Sequence, residues 1–371
     1  MPGLDITNEC TPSAGTLSRL SRGSPDGLLF PKLEWLNCVL DYADDALSFF
    51  RLFLSPHLRR IKFYTYLCDL AAFSQIIPAL PSSLESLDVE LDPKDAEHAK
   101  DALSSFVCRC GSSLRSLGIR GLLSDAATLH LIQLPNLTRW MTDQGPPQVT
   151  STPVLRSLEH FHFKGEAILP WLRFLASDGK GTREGLKFLD LPHGTVIDST
   201  LLFPIVNLRN LVKLLVHNKD CGTEESCSFH LTDDNVEDLA AALPRLESLR
   251  LGHPCSRNTC KTTVASLMSI SIHCLDLSIL ETHFNTQTIV DDMQSLLNGG
   301  VGHNKAKCRL WRILVGYQPL ELDSADLRTI AMGFSVIFPR MVQLVGYHWI
   351  GLRRRIPGVS VYYDEADAVV R

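Results

Sequence analysis

The sequence predicts an α/β solenoid, a repeating fold whose strands form a parallel sheet on the concave side and whose helices lie on the convex side. The 371-residue chain contains 60 leucines, about 16%, spread from end to end. A phrase of the form LxxLxL recurs twelve times, and several of the segments between phrases have apolar residues at helical spacing. A single strand–helix unit cannot bury its apolar face, so the units must stack into a continuous core.

Strands are predicted at the leucine phrases, because the last two apolar residues of each phrase are two apart and point to the same side of an extended chain. The eleven intervals between Leu33 and Met341 average 28 residues and range from 21 to 38. The clearest copies are LESLDV at 84–89, LRSLGI at 114–119, LKFLDL at 186–191, LVKLLV at 211–216, LESLRL at 246–251 and IHCLDL at 272–277. Less regular copies are LEWLNC at 33–38, LRRIKF at 58–63, LTRWMT at 137–142, LEHFHF at 158–163, LWRILV at 310–315 and MVQLVG at 341–346.

Helices are predicted in several of the segments that connect the strands. The segment TDDNVEDLAAAL at 232–243 has apolar residues at i, i+3, i+4 and i+7. Thr232 is a favourable N-cap for this helix, and Pro244 ends it. The same register recurs from Ala99 and from Leu327, and a close variant covers 286–297.

These elements predict three regions along the chain. Residues 1–29 are rich in Ser, Pro, Gly and Thr and are predicted to form a disordered leader. Residues 30–351 form the solenoid, with about 12 irregular repeats. Residues 352–371 form a C-terminal cap and tail, in which VSVYY at 359–363 alternates as a final strand would.

On these phrases the chain resembles leucine-rich repeat proteins of the long, strand-plus-helix type, from about Phe30 to Gly351. The Asn that commonly follows the phrase in that family is mostly missing, and the intervals are uneven, which implies an irregular solenoid. The segments LPRLESLRLG, LPNLTRW, LPSSLESLDV and RRRIPGVSVYYDEAD are similar to the repeat regions of F-box proteins from basidiomycete fungi. No F-box is recognised, since the amphipathic segment from Asp41 to Leu54 lies between two phrases.

The resemblance implies a non-catalytic protein-interaction scaffold, similar to the substrate-recognition part of an F-box type ubiquitin ligase receptor. In that family the F-box docks on a cullin ligase adaptor while the repeats hold the substrate, so an adaptor is an expected partner if an F-box lies upstream. The alternative is a free-standing leucine-rich repeat protein that binds or inhibits a partner without any ligase role. An in-frame F-box exon upstream of Met1 would favour the ligase-receptor hypothesis over the free-standing binder.

Charge and composition argue against several classes of function. The net charge of -5 and pI near 6.2 provide no long-range attraction to nucleic acid or to an anionic membrane. The uncharged stretches are shorter than the roughly 20 apolar residues that cross a bilayer, and the N-terminus lacks a secretory signal. Eleven irregularly spaced cysteines suit a reducing compartment. We therefore expect a cytoplasmic or nuclear monomer with no nucleic-acid or membrane partner.

No motif predicts catalysis or a cofactor. The sequence contains no GxSxG, HExxH or Walker spacing, and the chain is therefore expected not to be an enzyme. Two polar loops could together supply four zinc ligands, but the spacings are not those of zinc-binding pairs, and free thiols in variable loops are the preferred interpretation. The residues concerned are Cys221, Cys227 and His230 in one loop, and His253, Cys255 and Cys260 in the other.

The predicted partner site is the concave face, where the side chains between the apolar residues of each phrase meet solvent. Eleven intervals of about 4.8 Å give a surface on the order of 50 Å long, which suits a protein segment better than a small molecule. Reversing the charges of Lys213 and Arg250 is expected to weaken partner binding without unfolding. The candidate residues, a mixed but mainly basic set, are Arg120, His160, His162, Lys164, Asp190, Lys213, His217, Arg250, Asp276 and Arg312.

Overall fold

The computed structural model divides the chain into two compact units, Met1–Gly185 and Leu186–Arg371. Each unit is described by itself below. The structure describes residues 3–6, 16, 19, 28–40, 50–65, 74, 76–91, 96–147, 155–165, 168–177, 180–192, 195–217, 228–252, 260–282, 284–285, 288–299, 308–315, 324–341 and 343–346.

The first unit contains a parallel sheet whose strands are neighbours in chain order. Each strand is four to six residues long, and in β2 to β7 the side chains at the leucine positions of the phrase are buried. The strands are β1 (Gly3–Ile6), β2 (Trp35–Leu40), β3 (Arg60–Thr65), β4 (Ser86–Glu90), β5 (Ser116–Arg120), β6 (Arg139–Thr142) and β7 (His160–Phe163). The helices are α1 (Ala96–Arg109), α2 (Asp125–Gln133), α3 (Ile168–Ser177) and α4 (Lys180–Gly185), with short 3-10 turns at Phe50–Phe53 and Ile77–Ala79.

The second unit repeats this arrangement, again with parallel strands paired in chain order. Its strands are β8 (Phe188–Leu191), β9 (Lys213–Val216), β10 (Ser248–Leu251), β11 (Ile279–Thr282), β12 (Arg312–Val315) and β13 (Gln343–Gly346). Its helices are α5 (Ser199–Ile205), α6 (Asp233–Ala242), α7 (Val264–His273), α8 (Ile289–Asn298) and α9 (Ser324–Ile337). The predicted α/β repeat solenoid is confirmed.

Eleven of the twelve leucine phrases coincide with strands in the predicted register. In β4, for example, Leu84, Leu87 and Val89 are buried, and the residues between them are partly exposed. Neighbouring strands pair at equivalent positions, so that Leu87 aligns with Ile61 on one side and Leu117 on the other. The apolar residues of successive phrases therefore form continuous buried rows.

The phrase predicted at 272–277 is wrong, because the strand β11 lies at Ile279–Thr282. Its apolar positions are Leu277, Leu280 and Thr282, all buried. Residues up to His273 belong to helix α7, which ends at its C-cap residue, Cys274. Threonine in the place of the last leucine conceals the true phrase, LSILET at 277–282. The corrected intervals, from 246 to 277 and from 277 to 310, are 31 and 33 residues, so the repeat is more regular than predicted.

The strand β1 lies within the segment 1–29 that was predicted to be a disordered leader. Residues Gly3–Ile6 pair in parallel with Trp35–Cys38, and Asn37 donates a hydrogen bond of 2.9 Å to the Asp5 carboxylate. The strand carries only two apolar residues and no leucine phrase, which is why the periodicity does not reveal it. Most of the remaining leader, the segment 41–49 and the predicted C-terminal cap at 352–371 lie outside the described residues.

The helix predicted at 232–243 is confirmed as α6, and its ends show why it forms there. Thr232 and Asn235 make a reciprocal capping box, in which each side chain accepts the backbone N–H of the other, at 3.4 and 3.2 Å. Asp233 accepts two hydrogen bonds of 2.7 Å from Thr263, the N-cap of the next helix. The caps therefore fix each helix and also tie α6 to α7.

A cluster of aromatic side chains fills the first unit beneath β6 and β7. The ring centroid of Trp171 lies 4.9 Å from that of Trp140, 5.1 Å from that of Phe161 and 5.3 Å from that of Phe174. Trp171 is fully buried, and its indole N–H donates to the backbone carbonyl of Gln144 at 2.6 Å. The cluster therefore anchors the loop that follows β6, at the carboxyl edge of the sheet.

Buried cysteines in the second unit act as small apolar residues with a weak hydrogen-bond donor. The Sγ of Cys308 lies 3.3 Å from the carbonyl oxygen of Cys274. The Sγ of Cys274 in turn lies 3.7 Å from the carbonyl oxygen of Ala240. Burial raises the pKa of the Cys274 thiol to about 12. These thiols therefore link successive repeats of the second unit.

Candidate protein-binding face

In each unit, the residues between the buried positions of each phrase form a strand face, which is built from four rows of side chains. We number these residues x1 to x4 in the pattern L-x1-x2-L-x3-L-x4, so that the phrase beginning at Leu84 has Glu85, Ser86, Asp88 and Glu90 in these positions. Strand pairing aligns equivalent positions of neighbouring repeats. Side chains in one row are therefore neighbours at the strand spacing of about 4.8 Å, although some 30 residues separate them in the chain.

In the first unit, Glu90 forms ion pairs with two basic side chains of the x4 row. Arg120 forms an ion pair with one oxygen of the Glu90 carboxylate, and Lys164 Nζ lies 3.7 Å from the other. The side chain of Glu90 is only 14% exposed. Next to this cluster, Lys62 Nζ lies 4.7 Å from the centroid of the Tyr64 ring. Two of the predicted basic residues, Arg120 and Lys164, are therefore neutralised within the protein.

Asp88 and Gly118 occupy neighbouring x3 positions at the centre of this face. A Cβ atom on Gly118 would lie 2.5 Å from Oδ1 of Asp88 and 2.8 Å from Cε of Met141, so glycine leaves the room that these two side chains occupy. The Asp88 Oδ1 is buried and has no hydrogen-bond partner among the described residues. Burial raises the pKa of Asp88, and the opposing attraction of Lys62 and Lys164 is smaller.

We expect Asp88→Asn to stabilise the protein at neutral pH, by about 0.5–1 kcal/mol. Because the pKa of Asp88 is raised in the folded state, its contribution to stability is full below the unfolded pKa and is lost as pH rises through the folded pKa. The advantage of the variant should therefore shrink as pH falls. Urea unfolding midpoints measured between about pH 3 and pH 7 test this, with Asp101→Asn on the exposed face of α1 as the control. An Asp88→Asn variant that is less stable than the wild type at pH 7 would contradict it.

A shallow groove lies at the amino-terminal edge of the strand face in the first unit. Its volume is about 350 Å³, and it is lined by x1 and x2 residues of β3 to β7. Glu85 lines the groove and forms an ion pair of 3.1 Å with Arg59, which lies outside it. The lining residues are Arg60, Glu85, Ser86, Arg115, Ser116, Thr138, Arg139, Glu159 and His160.

In the second unit, Glu281 has the same role that Glu90 has in the first. It lies at x3 of β11, is 3% exposed and forms an ion pair with Arg250 on the neighbouring strand. Burial raises the pKa of Glu281, against the attraction of Arg250, His217 and Arg312. His217 Nε2 also lies 3.2 Å from the carboxylate of Asp190. The acidic side chains of this unit therefore hold the basic ones in fixed positions.

The Arg250–Glu281 pair changes one expectation from the sequence. Reversal of Lys213 and Arg250 was expected to leave the fold intact, but a glutamate at 250 would face the buried carboxylate of Glu281. Lys213 differs, because its Nζ lies 5.2 Å from the centroid of the Phe188 ring and no described carboxylate pairs with it. Only Lys213 is suited to charge reversal as a test of binding.

Nine of the ten predicted partner-binding residues lie at x2, x3 or x4 of the strand face. Asp276 is the exception, because it lies in the turn before β11, where its exposed carboxylate is 3.6 Å from Nη1 of Arg309. The error follows from the wrong register of that phrase. The nine are His160, Lys213 and Arg312 at x2; His162, Asp190 and Arg250 at x3; and Arg120, Lys164 and His217 at x4.

Sequence reasoning missed three residues that shape the face: Glu281, Arg115 and Arg139. Glu281 was hidden by the misplaced phrase of β11. Arg139 lies at x2 of LTRWMT, a phrase with Trp and Thr at two of its three apolar positions, and aligns with Ser116 in the sheet. Applying the x1 and x2 positions uniformly to every phrase would have identified both arginines.

The two polar loops that were weighed as zinc ligands and interpreted instead as carrying free thiols lie mostly outside the described residues, which include His230 and Cys260 but not Cys221, Cys227, His253 or Cys255. Within the described part of the chain, no group of three or more His, Cys, Asp or Glu residues could hold a metal ion. No described helix is both long enough and apolar enough to span a membrane.

Together, the fold and its polar strand face place the chain in the class of leucine-rich repeat solenoids. No protein-family model matches the sequence, and the search of curated proteins found no match. Among solved structures, a chain in the crystal structure of the Rad7 and Elc1 complex in yeast is similar, with a TM-score of 0.43 and 14% sequence identity. The alignment covers 96% of this chain and 88% of that one. No functional assignment follows from a likeness at this level.

Proposed function

We propose that the chain is a non-catalytic scaffold that binds a partner protein on the strand face. The observation that carries this proposal is the ordered presentation of polar side chains on short, paired strands. In the first unit, x2 residues from Arg60 to His160 align across five consecutive strands. Rigid strands present such side chains with little conformational freedom, so little entropy is lost when a partner binds.

The ion pairs on the strand face support the same function. Glu90 holds Arg120 and Lys164, and Glu281 holds Arg250, in positions set by the pairing of the strands. Charged groups that are already oriented contribute more to specificity than freely moving ones do. The groove of about 350 Å³ is lined mainly by polar and charged residues, which suits a segment of a protein better than an apolar small molecule.

A finer proposal is that the strand face serves as the substrate-recognition part of a ubiquitin ligase receptor. The similarity of the leucine phrases to those of fungal F-box proteins supports it. The second candidate is a free-standing binder or inhibitor with no ligase role. Co-purification of a cullin adaptor with the full-length protein would support the receptor, whereas a stable complex with another protein and without the adaptor would support the free-standing binder.

Site-specific photo-crosslinking tests the scaffold function in cells that contain the natural partners. A photo-reactive amino acid is introduced at Ser116 or Ser248, both at x2, in the full-length protein. Matched controls carry it at Asp101 on α1 or at Glu237 on α6, which are exposed on helices. We expect discrete crosslinked species from the strand positions and none from the helix positions, because the partner contacts the strand face.

Two outcomes would contradict the scaffold proposal. One is the absence of a discrete crosslink from both strand positions while the protein remains folded and expressed. The other is equal or stronger crosslinking from Asp101 or Glu237, which would locate the partner on the helices. Mass spectrometry of a crosslinked species from the strand face identifies the partner.

A further inference from the structure

Three arginines at the edge of the first unit's strand face differ from the other basic residues of that face. Arg60, Arg115 and Arg139 are exposed, and none of their side chains forms an ion pair or hydrogen bond with any residue that the structure describes. Arg120 and Lys164, by contrast, are bound to Glu90 on the same face. The three guanidinium groups are therefore available to a ligand from outside the protein.

Strand pairing brings these arginines together around one groove. Arg60 and Arg139 lie at x2 of β3 and β6, and the x2 residues between them are Ser86 and Ser116. Arg115 lies at x1 of β5, immediately before Ser116. The groove thus has a floor of two small hydroxyl side chains, neither of which bonds to a described residue, and guanidinium groups on both sides. Hydroxyl and guanidinium groups are both donors to carboxylate oxygens.

The acidic residues of the groove do not cancel its positive charge. Glu85 lies between Arg59 and Arg115 in the x1 row and forms its ion pair with Arg59, at 3.1 Å. Glu159 lies on β7's side of the groove, two strands from Arg115. With Glu85 neutralised by Arg59, the arginines outnumber the remaining carboxylate three to one. A ligand with negative charge is therefore favoured.

We infer that this groove binds a short acidic segment, rich in Asp or Glu, of a partner protein. The inference rests on the proposed scaffold function and specifies the chemistry of the partner. Arg60 and Arg139 are three strand intervals apart, about 14 Å, a distance that about four residues of extended peptide span. The basic surface has this same length, so it accommodates a short acidic peptide better than a continuous polyanion such as nucleic acid.

The test uses the full-length protein and a fluorescein-labelled peptide with four consecutive acidic residues between Gly-Ser arms. Fluorescence anisotropy measures its Kd for the wild type, for the double variant Arg60→Gln/Arg139→Gln and for Arg173→Gln. Arg173 is an exposed arginine on α3 and provides the matched control. We expect the double variant to bind about tenfold or more weakly and the control to bind within about twofold of the wild type.

Two further probes address specificity. A peptide with Asn and Gln in place of the acidic residues is expected not to bind, and an oligothymidylate of equal charge is expected to bind more weakly than the acidic peptide. The inference is overturned if the double variant binds the acidic peptide as tightly as the wild type does, or if the oligonucleotide binds more tightly than the peptide. Crosslinking of a partner at Ser248 would preserve the scaffold function in that event, so the two failures are distinguishable.

Discussion

Arg250→Glu should lower the free energy of unfolding by about 3 kcal/mol. The substitution would place a second carboxylate against Glu281, which is 3% exposed and has its charge balanced mainly by Arg250. Leaving a buried charge uncompensated costs about 3–5 kcal/mol, and the partial exposure of Arg250 places this case at the lower end. The loss should diminish as pH falls, because burial already raises the pKa of Glu281 and protonation removes the repulsion.

Urea unfolding at pH 7 and at about pH 4.5 measures this effect. Lys213→Glu is the control, because Lys213 lies at x2 of the neighbouring strand and pairs with the Phe188 ring, and it should cost less than about 1 kcal/mol. Adding Glu281→Gln to the Arg250→Glu variant should restore much of the stability by removing the repulsion. Equal stability of Arg250→Glu and the wild type at pH 7 would show that Glu281 does not depend on Arg250.

Trp171→Ala should lower the free energy of unfolding by about 4 kcal/mol, because a fully buried indole is replaced by a cavity. The substitution removes the ring contacts with Trp140, Phe161 and Phe174 and the hydrogen bond to the carbonyl of Gln144. It should also loosen the loop after β6. Hydrogen exchange of the backbone amides of that loop, at 143–147, measures the second effect.

Two other substitutions separate the causes of this loss. Trp171→Phe retains an aromatic ring but removes the indole N–H, so it should cost about half as much and still accelerate hydrogen exchange in the loop. Phe203→Ala is the surface control, because Phe203 is 76% exposed on α5 and should change stability by less than about 0.5 kcal/mol. A Trp171→Ala loss no greater than that of Phe203→Ala would contradict the role assigned to the aromatic cluster.

The loop after β6 connects this core to the strand face. The Gln144 side chain accepts from the backbone N–H of Leu123 at 2.6 Å and donates to its carbonyl at 2.9 Å. Asp143 accepts the N–H of Gly121, which follows β5 with φ of 145°, a conformation that favours glycine. Since Arg120 immediately precedes Gly121, the buried Trp171 helps to set the position of a charged residue on the strand face.

The leucine phrases determined most of the fold, because apolar residues at the spacing LxxLxL can be buried only when the strands stack in one register. The spacing itself can be recognised within each repeat, so eleven strands were predictable from the leucine phrases, and the helices α1, α6, α8 and α9 were predictable from apolar residues at helical spacing. The same spacing located nine of the ten candidate residues on the strand face. The exceptions are β1, which has no leucine phrase, and β11, whose phrase LSILET overlaps the more regular but misplaced IHCLDL.

Only the tertiary structure decided which of the strand-face charges remain available to a partner. Glu90 meets Arg120 and Lys164, and Glu281 meets Arg250, across repeats that lie about 30 or more residues apart in the chain. Ion pairs of this kind depend on which side chains strand pairing places next to each other and on how deeply each carboxylate is buried. Neither can be read from the sequence of a single repeat. For the same reason, the sequence by itself identified a basic face, whereas in the part of the chain that the structure describes the unpaired arginines of that face are Arg60, Arg115 and Arg139, which lie around one groove.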